Sequence, residues 1–170
     1  WDTNGQKYLD GLSGLFAVQA GHGRVELVEA AAAQARKLAF FPIWSYAHPT
    51  AIELADRLAA EAPDDLNKVF FSDDGSTSVE VALKIAYQYW VNLGQTRRSL
   101  LVAFDGGYHG DTLGAMSLGR GSGFFNLFRN MMCQVAVLPF PYTFEGDDAV
   151  EDRLKGALPA LEDRLSNGTH

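Results

Sequence analysis

Val69-Phe70-Phe71-Ser72-Asp73-Asp74-Gly75-Ser76-Thr77-Ser78 decides how this chain is read. A short apolar run, predicted to be a buried strand, breaks into a small polar loop. The loop opens the strongest helical pattern in the sequence, residues 76–92, with Val79, Leu83, Ala86 and Trp90 on one face. Gly75 allows backbone to approach a ligand closely. Ser76, Thr77 and Ser78 bring hydroxyls and unpaired N–H groups to the positive end of the helix dipole, an anion site suited to phosphate. The plainer alternative is a capped helix, with Asp74 or Ser76 as the cap, and that is the commoner use of such a stretch. Asp73 and Asp74 oppose a phosphate unless their carboxylates turn away or are neutralised. No Lys follows Gly75, so this is not a Walker A loop.

Working downstream, Leu100-Leu101-Val102-Ala103-Phe104 is a continuous apolar run of the kind found in a parallel sheet covered on both faces. A helix is predicted from about Asp111-Thr112, a strand over Gln134–Leu138 and a helix over residues 148–165. From residue 68 the order is strand, helix, strand, helix, strand, helix, which implies an α/β fold with a mostly parallel sheet and flanking helices. Such sheets bind ligands beyond the carboxyl ends of their strands. That directs attention to a second loop, Asp105-Gly106-Gly107-Tyr108-His109-Gly110-Asp111-Thr112. Tyr108 can stack on a planar ligand, and His109 and Asp111 can handle protons or polar groups. The alternative is a glycine turn with a half-buried Tyr and a helix capped by Asp111.

Upstream, Asn4-Gly5 predicts the turn of a hairpin. Residues 24–37 form an alanine-rich helix, and Phe40–Pro49 reads as an aromatic loop. Thr50 is the expected cap of a helix to about Ala62. The resulting organisation is an N-terminal segment over residues 1–49 and an α/β region over 50–170.

The 170 residues are 47% hydrophobic and 21% charged, which excludes disorder over most of the chain. The net charge of −7 argues against nucleic acid and against an acidic membrane surface as partners. No apolar run approaches a membrane span. The single cysteine, Cys133, rules out an internal disulfide, favours a reducing, cytoplasmic setting, and sits in an apolar stretch that reads as core. The histidines His22, His48, His109 and His170 have no metal-ligand spacing. No Gly-x-Ser-x-Gly elbow is present, and Gly21-His22-Gly23 lacks the third glycine of a dinucleotide fingerprint.

Asp10-Gly11-Leu12-Ser13-Gly14, then Gly21-His22-Gly23, then Gly75-Ser76 opening a helix with Glu80 and Lys84, then Tyr108-His109-Gly110, resembles the class III aminotransferases in order and interval. The resemblance implies part of the pyridoxal-phosphate-dependent transferase fold of type I. Within that class the stretch Ser72–Lys84, with Tyr87-Gln88-Tyr89-Trp90, is most similar to the aminotransferases of biotin biosynthesis. Those enzymes move an amino group from S-adenosylmethionine to 8-amino-7-oxononanoate. Asp111 matches a substrate-side aspartate of that group. Leu15 stands where that group usually carries a tryptophan, and Leu15-Phe16 looks more like the ω-amino acid and amine:pyruvate transaminases.

The resemblance also assigns roles. Gly75 and Ser76 hold the phosphate of pyridoxal 5'-phosphate, Tyr108 stacks on its ring, and His109 lies beside it. Leu15, Phe16 and Asp111 face the substrates, an amine donor and a keto acceptor. Members are homodimers, so the aromatic loop Phe40–Tyr46 is expected either to reach a partner's site or to brace one subunit. The Schiff-base lysine and the aspartate that pairs with the pyridinium nitrogen lie downstream in the family. No catalytic residue is therefore assigned within this chain, which is expected to be an N-terminal portion of a longer protein. Glu80 and Lys84 are spaced for an ordinary surface pair. Three competing readings remain: a class III isomerase that moves an amine within one molecule, a non-catalytic phosphate-ligand module, and a Rossmann-type nucleotide binder.

Overall fold

A computed structural model describes residues 1–166, the side chain of Leu165 excepted. Two compact units divide after Val69.

The first unit opens on the expected turn. Gly5, at φ +80°, donates its N–H to the Asp2 carbonyl at 3.0 Å, and the Asp2 N–H reaches the Gln6 carbonyl at 2.9 Å. The hairpin expected around it does not form: no strand flanks the turn. A lone two-stranded hairpin is marginal in water, and no third strand joins it here. One turn follows, α1 (Ser13–Phe16), and it is left-handed throughout, with φ of 52°, 58°, 63° and 66°. The alanine-rich α2 (Val25–Lys37) and then α3 (Pro49–Glu61) are regular. The cap of α3 is His48, whose Nδ1 accepts the Ala51 N–H at 3.4 Å, and not Thr50 as expected. Pro49 explains the shift: its fixed φ and missing N–H suit the first helical position, so the helix starts two residues early. The Thr50 hydroxyl instead donates to Gln34 Oε1 at 3.3 Å, tying α3 to α2.

The second unit holds the sheet. Two strands, β1 (Leu101–Phe104) and β2 (Val135–Leu138), pair in parallel with Leu101 opposite Val135 and Phe104 opposite Leu138. The strand expected at Val69–Phe71 is absent, and Phe70 is exposed. The run has strand composition, but no described strand pairs with it. Before β1 stands α4 (Gly75–Asn92), and between the strands lies α5 (Leu113–Leu118), the crossover that a parallel pair requires. Two unanticipated 3-10 segments, Arg120–Ser122 and Asn126–Met131, bring Phe125 and Met132 onto Met116 as a small core. Ser117 is fully buried; its hydroxyl donates to the Leu113 carbonyl at 2.6 Å and accepts the Cys133 N–H at 3.0 Å. Cys133 itself is exposed, contrary to expectation, because Met132 takes the inward position at this bend. The last element, α6 (Val150–Ser166), carries Pro159. Within it Arg153 pairs with Asp147 and stacks its guanidinium on Tyr142 at 4.2 Å, both of which precede the helix. No helix among the described residues is long and apolar enough to cross a membrane.

Candidate active site

The start of α4 is capped from outside the helix. Asp74 Oδ1 accepts the Thr77 N–H at 2.8 Å, and Thr77 Oγ1 accepts the Asp74 N–H at 3.0 Å, a reciprocal capping box. The capped-helix reading is therefore right as far as it goes, with Asp74 as the cap. It still leaves a site. The N–H groups of Gly75 and Ser76 have no hydrogen-bond partner among the described residues, and a Cβ at Gly75 would meet open space. The Asp74 carboxylate is turned onto Thr77, which meets one of the objections to an anion here.

The glycine-rich loop after β1 folds onto this helix end. Ser76 Oγ accepts the Asp111 N–H at 3.0 Å, leaving the hydroxyl hydrogen free to donate elsewhere. Gly110 sits directly against Ser76, at φ +121°. Asp111 Oδ1 in turn accepts the Tyr108 hydroxyl at 3.1 Å. That hydrogen bond, then burial and the carboxylate charge, hold the Tyr108 phenol above its ordinary pKa, so it keeps its proton at neutral pH. One face of the Tyr108 ring lies 6.1 Å from Phe125 in a near-parallel arrangement, while the side chain as a whole is 60% exposed. His109 folds back over Gly107, where a Cβ would stand 2.9 Å from Nε2. The structure thus joins Gly75, Ser76, Tyr108 and Asp111, with His109 at the edge of the loop.

Glu80 departs from expectation. Its carboxylate makes no close ion pair with Lys84, although that charge still favours it; Oε1 accepts the N–H groups of Gly114 at 2.6 Å and Ala115 at 3.3 Å. The Thr112 hydroxyl lies beside the carboxylate without reaching strict hydrogen-bond geometry. It is nonetheless the largest of the influences that hold Glu80 below its ordinary pKa; the two N–H groups add to it and burial opposes it.

Leu15 and Phe16 belong to the first unit, in the left-handed turn, and both are exposed. The turn is held by Asp10. Its Oδ2 accepts the Gly14 N–H at 2.9 Å and lies 2.9 Å from His22 Nε2. The two motifs at residues 10–14 and 21–23 are therefore one structure. The His22 contact, followed by burial acting oppositely and then the Gly14 N–H, leaves Asp10 below its usual pKa. A depressed carboxyl stabilises the fold above its unfolded pKa and ceases to do so as pH falls through the folded value. The Gly14 amide is thus expected to be protected from exchange at pH 5–7 and to lose protection below about pH 4. Equal protection of the Gly14 amide at pH 6 in Asp10→Ala and in the parent would show that Asp10 does not hold the turn.

A helix end with two unpartnered N–H groups, beside an exposed aromatic ring and a hydroxyl, fits a planar cofactor that carries a phosphate. Comparison with known proteins agrees. The class-III aminotransferase profile matches residues 1–169. The chain belongs to this family. The adenosylmethionine-8-amino-7-oxononanoate aminotransferase of Synechococcus elongatus is 44% identical over 166 residues, covering 98% of this chain and 39% of that protein. The putrescine–pyruvate aminotransferase of Pseudomonas aeruginosa is 41% identical over 120 residues, covering 70% of this chain and 26% of that protein. An amine transaminase from an uncultivated Pseudomonas species, solved in its PLP-bound form, matches with a TM-score of 0.83 and 33% identity, covering 97% of this chain and 38% of that one. The fold is part of the fold type I architecture of PLP-dependent transaminases, and the family's cofactor is pyridoxal 5'-phosphate. The chain spans well under half the length of these relatives.

Proposed function

We propose that this chain is the N-terminal part of a pyridoxal-phosphate aminotransferase that moves an amino group from an amine donor to a keto acceptor. In this reading residues 1–49 are the N-terminal segment, and 50–170 begin the large cofactor-binding domain. The observation that carries it is the bond from the Asp111 N–H to Ser76, which holds an aromatic loop beside an unpartnered helix end. When bound, the cofactor supplies an electron sink for the amine carbon. The protein's part is to hold it. The N–H groups of Gly75 and Ser76 take the phosphate, and the Ser76 hydroxyl donates to it. Tyr108 covers the ring; its phenol keeps its proton and donates a hydrogen bond to Asp111 Oδ1. His109 lies beside the ring, and Leu15, Phe16 and Asp111 face the substrates. None of Lys7, Lys37, Lys68, Lys84 and Lys155 lies in the two loops of the candidate site, residues 72–78 and 105–112, which supports a catalytic lysine downstream of this chain. The working protein is a homodimer in the cytoplasm.

Asp111 and the likeness to the Synechococcus enzyme favour S-adenosylmethionine as donor and 8-amino-7-oxononanoate as acceptor. Leu15, in place of tryptophan, and the likeness to the putrescine–pyruvate enzyme favour an ω-amino acid or amine:pyruvate transaminase. The full-length protein separates them. Loaded with cofactor, it is expected to convert the cofactor to its amine form with S-adenosylmethionine. Conversion by alanine or putrescine, and none by S-adenosylmethionine, would move it to the second group. Conversion by no amine would end the aminotransferase reading.

A further inference from the structure

Glu80 and Ser76 lie one turn apart on the same face of α4, and both reach the segment that follows β1. Ser76 Oγ accepts the Asp111 N–H, and Glu80 Oε1 accepts those of Gly114 and Ala115. The segment is thus pinned to the phosphate-binding helix by two side chains, at positions from Asp111 to Ala115. We propose that Glu80 is a positioning residue of the cofactor site, holding the loop that carries Tyr108 and Asp111 against the start of α4. The proposal rests on the reading of Gly75, Ser76 and Tyr108 as that site.

Three observations carry it. First, α5 makes no side-chain capping bond through its own N-cap residue, Thr112, so its leading N–H groups depend on a carboxylate from another helix. A carboxylate that accepts backbone N–H groups forms a stronger bond than the neutral hydroxyl of Ser76 can. Second, the fit is close: a Cβ at Gly114 would stand 2.5 Å from Glu80 Oε2, and one at Gly110 would stand still nearer to Ser76 Oγ. Glycine at both places lets α4 serve as the seat of the loop. Third, the chain of bonds is continuous. Glu80 fixes residues 114 and 115, Ser76 fixes 111, and Asp111 fixes the Tyr108 hydroxyl. With Glu80 gone, Ser76 would supply the remaining described hydrogen bond from α4 to the loop, while also serving the phosphate.

The test uses the full-length protein and pyridoxamine 5'-phosphate as probe, which has no aldehyde and cannot bond covalently to a lysine. Its dissociation constant is measured for Glu80→Ala, Glu80→Gln, Tyr108→Ala and the Glu80→Ala/Tyr108→Ala double variant. Glu80→Ala is expected to weaken binding about tenfold, and Glu80→Gln, which keeps an acceptor, to restore all but about threefold. The double variant should bind no more than about twofold worse than Tyr108→Ala, because Glu80 acts through Tyr108. Hydrogen exchange over residues 105–118 should quicken in Glu80→Ala. Should that variant not fold, Gly114→Ala, which drives a methyl into the same carboxylate, is expected to weaken the probe likewise. Unchanged binding in Glu80→Ala or Gly114→Ala, or strictly additive losses in the double variant, would overturn the proposal. No loss in Tyr108→Ala would instead refute the cofactor role of Tyr108, and the proposal with it.

Discussion

In the full-length protein, Gly110→Ala is expected to detach the aromatic loop from α4 and to lower cofactor affinity at least tenfold. Two independent penalties act at this position. An added Cβ would overlap Ser76 Oγ and lie 2.7 Å from Ser76 Cβ and 2.9 Å from Ser76 Cα. The hydroxyl could rotate away, but the Cα belongs to the first turn of an 18-residue helix and cannot. The second penalty is backbone: φ at Gly110 is +121°, where a side chain is strained whatever the space. Forced overpacking costs on the order of 1–3 kcal/mol, and an unfavourable dihedral a similar amount. Together these approach the whole stability of a marginal domain. The cheapest escape is for the loop to lift, which breaks the bond from the Asp111 N–H to Ser76 and carries Asp111 and Tyr108 away from the start of α4. The loss should therefore fall on cofactor retention as well as on the melting temperature. Gly156→Ala is the control: it lies within α6, a Cβ there meets open space, and alanine should slightly stabilise the helix. A Gly110→Ala protein that melts and binds cofactor like the parent would mean that the loop does not rest on Ser76.

Gly110 also shows what one sequence can and cannot convey. The elements set by local chemistry were legible. Asp74-Gly75-Ser76-Thr77 announces a helix start because a cap and its partner lie three residues apart, and Leu101–Phe104 announces a strand because nothing in it is polar. Both loops of the candidate site could be found on that basis. What joins them could not. The bonds from Asp111 to Ser76 and from Gly114 to Glu80 span 35 and 34 residues, so Glu80 looked like half of an ordinary surface pair. Asp10 and His22 read as separate motifs, because a bond across 12 residues leaves no periodic trace. Val69-Phe70-Phe71 failed in the opposite way. Its composition suits a strand, but a strand is completed by a neighbour, and none of the described residues supplies one. Histidine is not a favoured cap, so His48 carries no cap signal of its own; the proline after it does.

Made alone, the 170 residues are expected to associate, or to melt without a sharp transition, rather than to behave as a stable monomer. The argument is one of uncovered surface. The chain exposes 13851 Å², against roughly 10,000 Å² for two compact globules of these sizes. Much of the excess is apolar. On β1, Val102 and Phe104 are exposed, although an all-apolar strand of a parallel sheet belongs under cover on both faces. Neither α2, α3 nor α4 contains a buried residue. The aromatic loop leaves Trp44 86% exposed. The sheet adds a second liability, since each of its two strands has one edge with no described partner, open to pairing with another copy. In the relatives, the chain corresponds to well under half of the molecule, and the remainder is available to cover these faces. Light scattering of the isolated chain should therefore report oligomers, a hydrophobic dye should bind, and thermal unfolding should be broad. The full-length protein, under the same conditions, should bind little dye and unfold cooperatively. A soluble 170-residue monomer with a sharp melt would show that the small Met116–Phe125–Met132 core is sufficient, and that the exposed faces need no cover.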